Sequence, residues 1–244
     1  MTHLGGDYAI WLVVGLLYVV DAARLLARTE FLLVEVGRGR FAPALSDVGF
    51  TLAGKVLAFA PLLRPHRAVF LVRWGERWAE PGALRASLGR LSEMTARLLG
   101  LRVVALWTWL WLFVGGPALT FALGSSAAIY CTIAAVYPCV LVAGLLLWRG
   151  RHRLRLTRSQ ILKLTAEALV CAPTLPNLLH KVTLAEPVGA DGVQLGLAAL
   201  PPDAREQFLE RLDVHARELI DEIGSEQPDA QRLLAYLTTA RAAR

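Results

Sequence analysis

From Val103 to Trp148 the chain runs for 46 consecutive residues without an Asp, Glu, Lys, Arg or His. As one straight helix, at about 1.5 Å per residue, that run would reach roughly 70 Å, more than twice the roughly 30 Å hydrocarbon core of a bilayer. It reads as two spans that turn back on one another, over 103–123 and 127–148. Gly124-Ser125-Ser126 supplies the break, a glycine ending one helix and a serine capping the next. A further span is expected near the N-terminus, where Tyr8–Val20 is uncharged for 13 residues, too few to cross alone. Continuing through Ala22, Ala23, Leu25, Leu26 and Ala27 makes the segment long enough. Asp21 and Arg24 then fall three apart near its end and can neutralise one another as a boundary pair.

Composition agrees with a chain built for lipid, 55% hydrophobic and 19% charged, and excludes a disordered or collagen-like protein. Cys131, Cys139 and Cys171 have no CxxC spacing, so neither a disulfide framework nor a zinc site is expected. Only three of the 26 basic residues are lysine, a bias of GC-rich coding that points to a bacterial source. Met1–Asp7 has no Lys or Arg, which a cleaved signal peptide would need, so the first apolar segment is expected to stay attached.

Basic residues set the expected orientation, because Lys and Arg are retained on the cytoplasmic side. The N-terminal heptapeptide and the Gly124 turn carry none, whereas 24–102 carries 13. Directly after Trp148 come Arg149, Arg151, Arg153, Arg155 and Arg158. The N-terminus is therefore placed outside and the C-terminus inside. Trp107, Trp109, Trp111 and Trp148 fall near the inner ends of their spans, where amphipathic rings prefer to sit.

The fold expected is an α-helical membrane protein with three transmembrane helices, a small cytoplasmic β-meander after the first span, and a helical cytoplasmic tail. Its parts are 1–28, the first span; 29–80, a basic β-rich region; 81–102, an interfacial amphipathic helix; 103–148, the helical hairpin; and 149–244, the tail. In the β-region, Phe31–Val36, Phe50–Leu52, Val56–Ala60 and Ala68–Val72 read as strands between glycines and prolines. In the tail, Thr157-Arg158-Ser159-Gln160 has the form of a capping box, opening a helix that ends before Pro173. Asp203 and Glu206 open another, whose stripe of Phe208, Leu209, Leu212, Ala216, Leu219, Ile220 and Ile223 ends at Gly224. A last helix carries Leu233, Leu234 and Leu237. Charge divides the tail, with seven basic residues against one acid over 149–181 and eleven acids against three arginines over 186–229. The long stripe needs a cover, either from the last helix and the basic segment or from a protein partner.

Sites for chemistry are few. Gly49–Val56 satisfies GxxxxGK and then lacks the Ser or Thr that holds the metal ion, and Val56–Pro61 reads as strand rather than helix. Cys171 and His180 flank two prolines and, if folded together, would pair as nucleophile and base, but no third group to orient them is identifiable. The histidines lack metal-site spacing, so neither metal nor cofactor is expected. The Arg149–Arg158 cluster lies beside a span and has no interleaved aromatics to stack bases, so its expected partner is the anionic inner leaflet and not nucleic acid. Ala127, Cys131, Ala135, Cys139 and Ala143 repeat every four residues and form a strip of small side chains suited to close helix packing.

Residues 29–74, with Leu57-Ala58-Phe59-Ala60-Pro61-Leu62-Leu63 at their centre, resemble uncharacterised bacterial membrane proteins that pair a short β-region with a Phe-Ala-Asn-Pro-Leu-like motif; Ala60 stands here for the Asn. The resemblance implies a bacterial multi-pass protein and no chemistry. The expected role is a non-enzymatic scaffold or interaction component of the bacterial cytoplasmic (inner) membrane. The alternative is an enzyme acting on a lipid or lipid-linked substrate at the inner leaflet.

Overall fold

Helix dominates the chain, in agreement with its long apolar runs, and two of its helical stretches are long and apolar enough to cross a bilayer. In a computed structural model, residues 4–37, 39–45, 51–52, 55–74, 80–223 and 227–242 are described. In chain order the elements are α1 (Leu4–Ala22), β1 (Ala23–Leu26), β2 (Glu30–Gly37), β3 (Arg40–Ala44), β4 (Thr51–Leu52), β5 (Lys55–Phe59) and β6 (Val69–Arg73). Then come α2 (Pro81–Arg97), α3 (Leu99–Leu110), a π-turn at Trp111–Gly115, α4 (Gly116–Leu123), α5 (Ser125–Gly150) and α6 (Arg158–Val170). A 3₁₀ segment (Ala172–Asn177) leads to α7 (Leu178–Leu184), α8 (Gly192–Ala199), α9 (Pro202–Ile223) and α10 (Pro228–Ala242). These divide into two units, Met1–Ala23 with Phe59–Ala68 and Arg97–Thr183, and Arg24–Ala58 with Val69–Ala96 and Leu184–Arg244.

The first unit contains the apolar helices. α3, the π-turn and α4 form one continuous apolar stretch, Leu99–Leu123, and α5 is the other. The π-turn sits just ahead of Pro117, whose ring cannot donate to the carbonyl four residues back. The chain widens by one residue there, and the Gly116 N–H bonds the Trp111 carbonyl. The hairpin break falls at Gly124 as expected, but the cap differs. Gly124 itself is the N-cap of α5, and no serine side chain bonds the helix end. Its φ of 85° and ψ of 164° lie in a region open essentially to glycine alone. Gly124→Ala is therefore expected to lower stability by about 1–3 kcal/mol, read as the melting midpoint in detergent.

α1 is shorter at its C-terminal end than the pattern suggests. It stops at Ala22, and Ala23–Leu26 forms β1, beside β5. The backbone turns at that point because Ala22 keeps its carbonyl bonded to the Ala60 N–H at 3.1 Å, outside the helix ladder. Arg24 thus stands on a strand and not on the helix expected for it. The capping box at the start of α6 forms as expected, with Thr157 and Gln160 satisfying each other's backbone N–H groups.

The second unit corrects the expected β-meander. Its strands form two three-stranded sheets, ordered β1-β5-β4 and β3-β2-β6, so that β1 and β2 neighbour strands far along the chain. β2 pairs antiparallel with β3 and with β6, and Glu30 lies opposite Arg73 with a 2.8 Å ion pair between them. β3 was not legible as a strand because it contains Pro43, which the ladder tolerates on this edge position. Phe31, Leu33, Val69 and Phe70 are buried, and Phe31 meets Phe208 of α9 edge-on at 5.8 Å. The α9 stripe is covered within this unit: Phe208, Leu212, Ala216 and Ile220 are buried, as are Leu237 and Ala240 of α10. Ile223 and Leu233 have side chains outside the described residues. Asp191 caps α8 through the Val193 and Gln194 N–H groups and accepts a hydrogen bond from Tyr236 of α10.

Candidate functional site

The most polar interior place in the first unit joins the end of α1 to α6 and α7. Lys181 on α7 places its Nζ 2.6 Å from Asp21 Oδ1 and 2.6 Å from Glu167 Oε1. Asn177 donates through Nδ2 to Asp21 Oδ2 at 3.0 Å and to the Tyr18 carbonyl at 3.1 Å. Tyr18 in turn donates its hydroxyl to the Leu62 carbonyl at 2.6 Å. Asp21 and Lys181 side chains are each only 12% exposed, whereas Glu167 is 39% exposed. One ammonium between two carboxylates, with an amide donating to one of them, is the geometry of a tie between helices. The buried Asn177 Oδ1 has no hydrogen-bond partner among the described residues. The local sequence explains its position: Pro173 and Pro176 open the 3₁₀ turn that brings Asn177 and Lys181 back against α1.

A second place collects arginine. Arg97 at the end of α2, Arg149 in the last turn of α5 and Arg153 in the following turn line a cavity of about 350 Å³. Gly100 and Gly150 line it with Leu146 and Leu154 packed close against them, and Leu101 and Leu147 form part of its apolar side. Of the expected headgroup-facing residues, Arg149 and Arg153 line this cavity, while Arg151, Arg155 and Arg158 lie outside it. Arg149, Arg153, Arg155 and Arg158 are exposed. The Arg151 guanidinium lies 4.5 Å from the Trp148 ring centre and that of Arg158 5.9 Å, so this indole is covered by cations on the α5–α6 turn. Arg97 was not singled out from the sequence. It looked like one more polar-face residue of α2, and only the start of α3 immediately after it places it at the end of the apolar pair.

The small-residue strip on α5 falls one position away from the packed face. The buried residues are Ala128, Thr132, Val136, Val140, Ala143 and Leu147. Ala143 belongs to both sets, but Ala127, Ala135 and Cys139 are half-buried and Cys131 is exposed. Within the chain it is β-branched Thr132, Val136 and Val140 that pack inward, and the alanines and cysteines of the strip flank them.

Cys171 and His180 are not joined by a hydrogen bond among the described residues. Cys171 is occupied through its backbone, with its N–H to Glu167 and its carbonyl to Thr174, while His180 is buried on α7. The GxxxxGK stretch lies partly outside the described residues, at Gly49, Phe50, Ala53 and Gly54. Within it, Thr51–Leu52 pairs antiparallel with Lys55–Val56, so Lys55 opens a strand and no helix start is available for a phosphate there. Among the described residues no group of three or more His, Cys, Asp or Glu could hold a metal ion.

Comparison with known proteins leaves this reading to stand on its own geometry: no family model, no curated protein and no solved structure is similar to the chain.

Proposed function

We propose that the protein is a non-enzymatic, multi-pass component of a bacterial cytoplasmic membrane, N-terminus outside and C-terminus inside, that holds anionic lipid at the inner leaflet and offers its C-terminal helices to a partner. The observation that carries this reading is the bareness of the two long apolar helices. Only 33% of the most apolar part of Leu99–Leu123 and 22% of that of Ser125–Gly150 is covered by the rest of the chain. Side chains such as Val103, Val114, Phe121, Tyr130 and Leu141 are more than half exposed. A helix in the core of a soluble protein would be covered, and an uncovered apolar surface of this extent needs lipid. α1 adds a third apolar helix, and its Trp11 donates to Thr120 of α4 at 2.8 Å. Arginines gather at one end of the pair, and the Gly124 turn at the other has none.

On the partner side, α9 keeps Glu206, Glu210 and Glu218 on its exposed face, a surface suited to a basic protein segment. The burial of the α9 stripe means that such a partner would meet charge and not an open apolar groove. An enzymatic reading has less support, since the Lys181 nitrogen is taken up by two carboxylates and the residues lining the arginine cavity include no nucleophile.

The membrane reading is tested by alkaline extraction and by topology. The chain is expected to stay with the membrane at alkaline pH. In a cysteine-free background, Ser125→Cys is expected to react with a membrane-impermeant thiol reagent from outside and Arg151→Cys only after the cytoplasmic face is opened. Release into the alkaline wash sinks the membrane reading, and labelling at 151 but not 125 reverses the orientation.

A further inference from the structure

We propose that the cavity lined by Arg97, Arg149 and Arg153 is a specific site for the phosphodiester headgroup of an anionic glycerophospholipid, an assignment that rests on the membrane reading above. Its size, about 350 Å³, falls within the range of small-ligand pockets. Three arginines line it, from the end of α2, the last turn of α5 and the turn beyond. The ends of α2 and α5 lie at this cavity, and so does the start of α3, whose partial positive charge offsets one of the two negative ones. Arg149 and Arg153 bring two full positive charges, enough for a phosphodiester with its single charge. Planar guanidinium groups match phosphate oxygens two at a time, which makes arginine better suited to this than lysine.

The rest of the cavity selects a lipid over a free phosphate. Beside the arginines, Leu98, Leu101 and Leu147 provide an apolar wall that a hydrated inorganic ion gains nothing from touching. Leu99 and Val103 are 63% and 62% exposed on the neighbouring stretch of α3, so an acyl chain leaving the pocket meets apolar surface immediately. Arg155 and Arg158 carry the same charge nearby and lie outside the cavity, which separates a built pocket from a diffuse basic surface.

The test uses the full chain in detergent micelles with dissolved short-chain lipids. Dioctanoyl phosphatidylglycerol is expected to bind at least tenfold more tightly than dioctanoyl phosphatidylcholine or inorganic phosphate. Each arginine near an anionic lipid is worth about fivefold, so Arg149→Gln with Arg153→Gln should weaken phosphatidylglycerol by about 25-fold. Arg155→Gln with Arg158→Gln should change it by less than about threefold, as expected for surface charges screened by salt. Equal loss in both double variants means a diffuse basic surface and overturns the pocket. Inorganic phosphate binding as tightly as the lipid overturns the lipid assignment. Because the probes are dissolved, these outcomes are read separately from the alkaline extraction that tests the membrane reading.

Discussion

Lys181→Met is expected to lower the stability of the folded chain by about 3–5 kcal/mol, the range for removing one partner of a buried ion pair. The substitution takes from Asp21, 12% exposed, the ammonium 2.6 Å away, and the Asn177 amide supplies a hydrogen bond but no charge in its place. Glu167 is 39% exposed and can turn to water, so the cost arises mainly at Asp21. Adding Asp21→Leu should then recover much of the loss, because a pair of apolar side chains avoids the desolvation that a carboxylate deprived of its ammonium suffers. Denaturation of the two variants in the same detergent decides the matter. If the double variant is no more stable than Lys181→Met, the network is not the tie between α1 and α7 that its distances suggest.

Gly116→Val should cost about 3 kcal/mol, from a different cause. A Cβ added at Gly116 would lie 2.2 Å from the far edge of the Trp11 indole. That ring cannot simply swing away, since its Nε1 donates to Thr120 Oγ1 at 2.8 Å and Thr120 donates onward to the Gly116 carbonyl at 3.1 Å. Either the hydrogen bond or the helix contact must give. Trp11→Phe shortens the ring and gives up the hydrogen bond, so combined with Gly116→Val it should restore part of the melting midpoint. A neutral Gly116→Val would show that α1 does not pack on α4.

What the sequence revealed and what it concealed divide by distance along the chain. Gly124 was legible as a break and Thr157 with Gln160 as a cap, because the chemistry of each lies within four residues. The α9 stripe was legible because burial on a helix repeats with its own period, and Phe208, Leu212, Ala216 and Ile220 follow it. Ala23–Leu26 was read as helix because Ala, Arg and Leu all favour helix, yet pairing beside β5 outweighs that preference. The meeting of Asp21 with Lys181 spans 160 positions, and no local pattern announces it. Only the rarity of lysine in this chain, three in 244 residues, set Lys181 apart. The arginine cavity was half visible: its residues were in the basic clusters, but which of them converge depends on where α2 stops and α5 ends.

The interleaving of the two units carries a consequence for how the chain is made. The strands up to Arg73 leave the ribosome early, but the segment that completes their unit begins only at Leu184. At about 5–20 residues per second, the roughly 110 residues between them take on the order of 5–20 s to synthesise. During that interval Phe31 and Phe70, which end up fully buried, have no α8 or α9 to cover them. Meanwhile the apolar helices 99–150 are being synthesised, so the early strands must be kept from aggregating until the later helices arrive. A chain ended before α8 would leave these strands permanently without that cover, and quality control in the cell would meet it as an aggregation-prone fragment rather than as a smaller working protein.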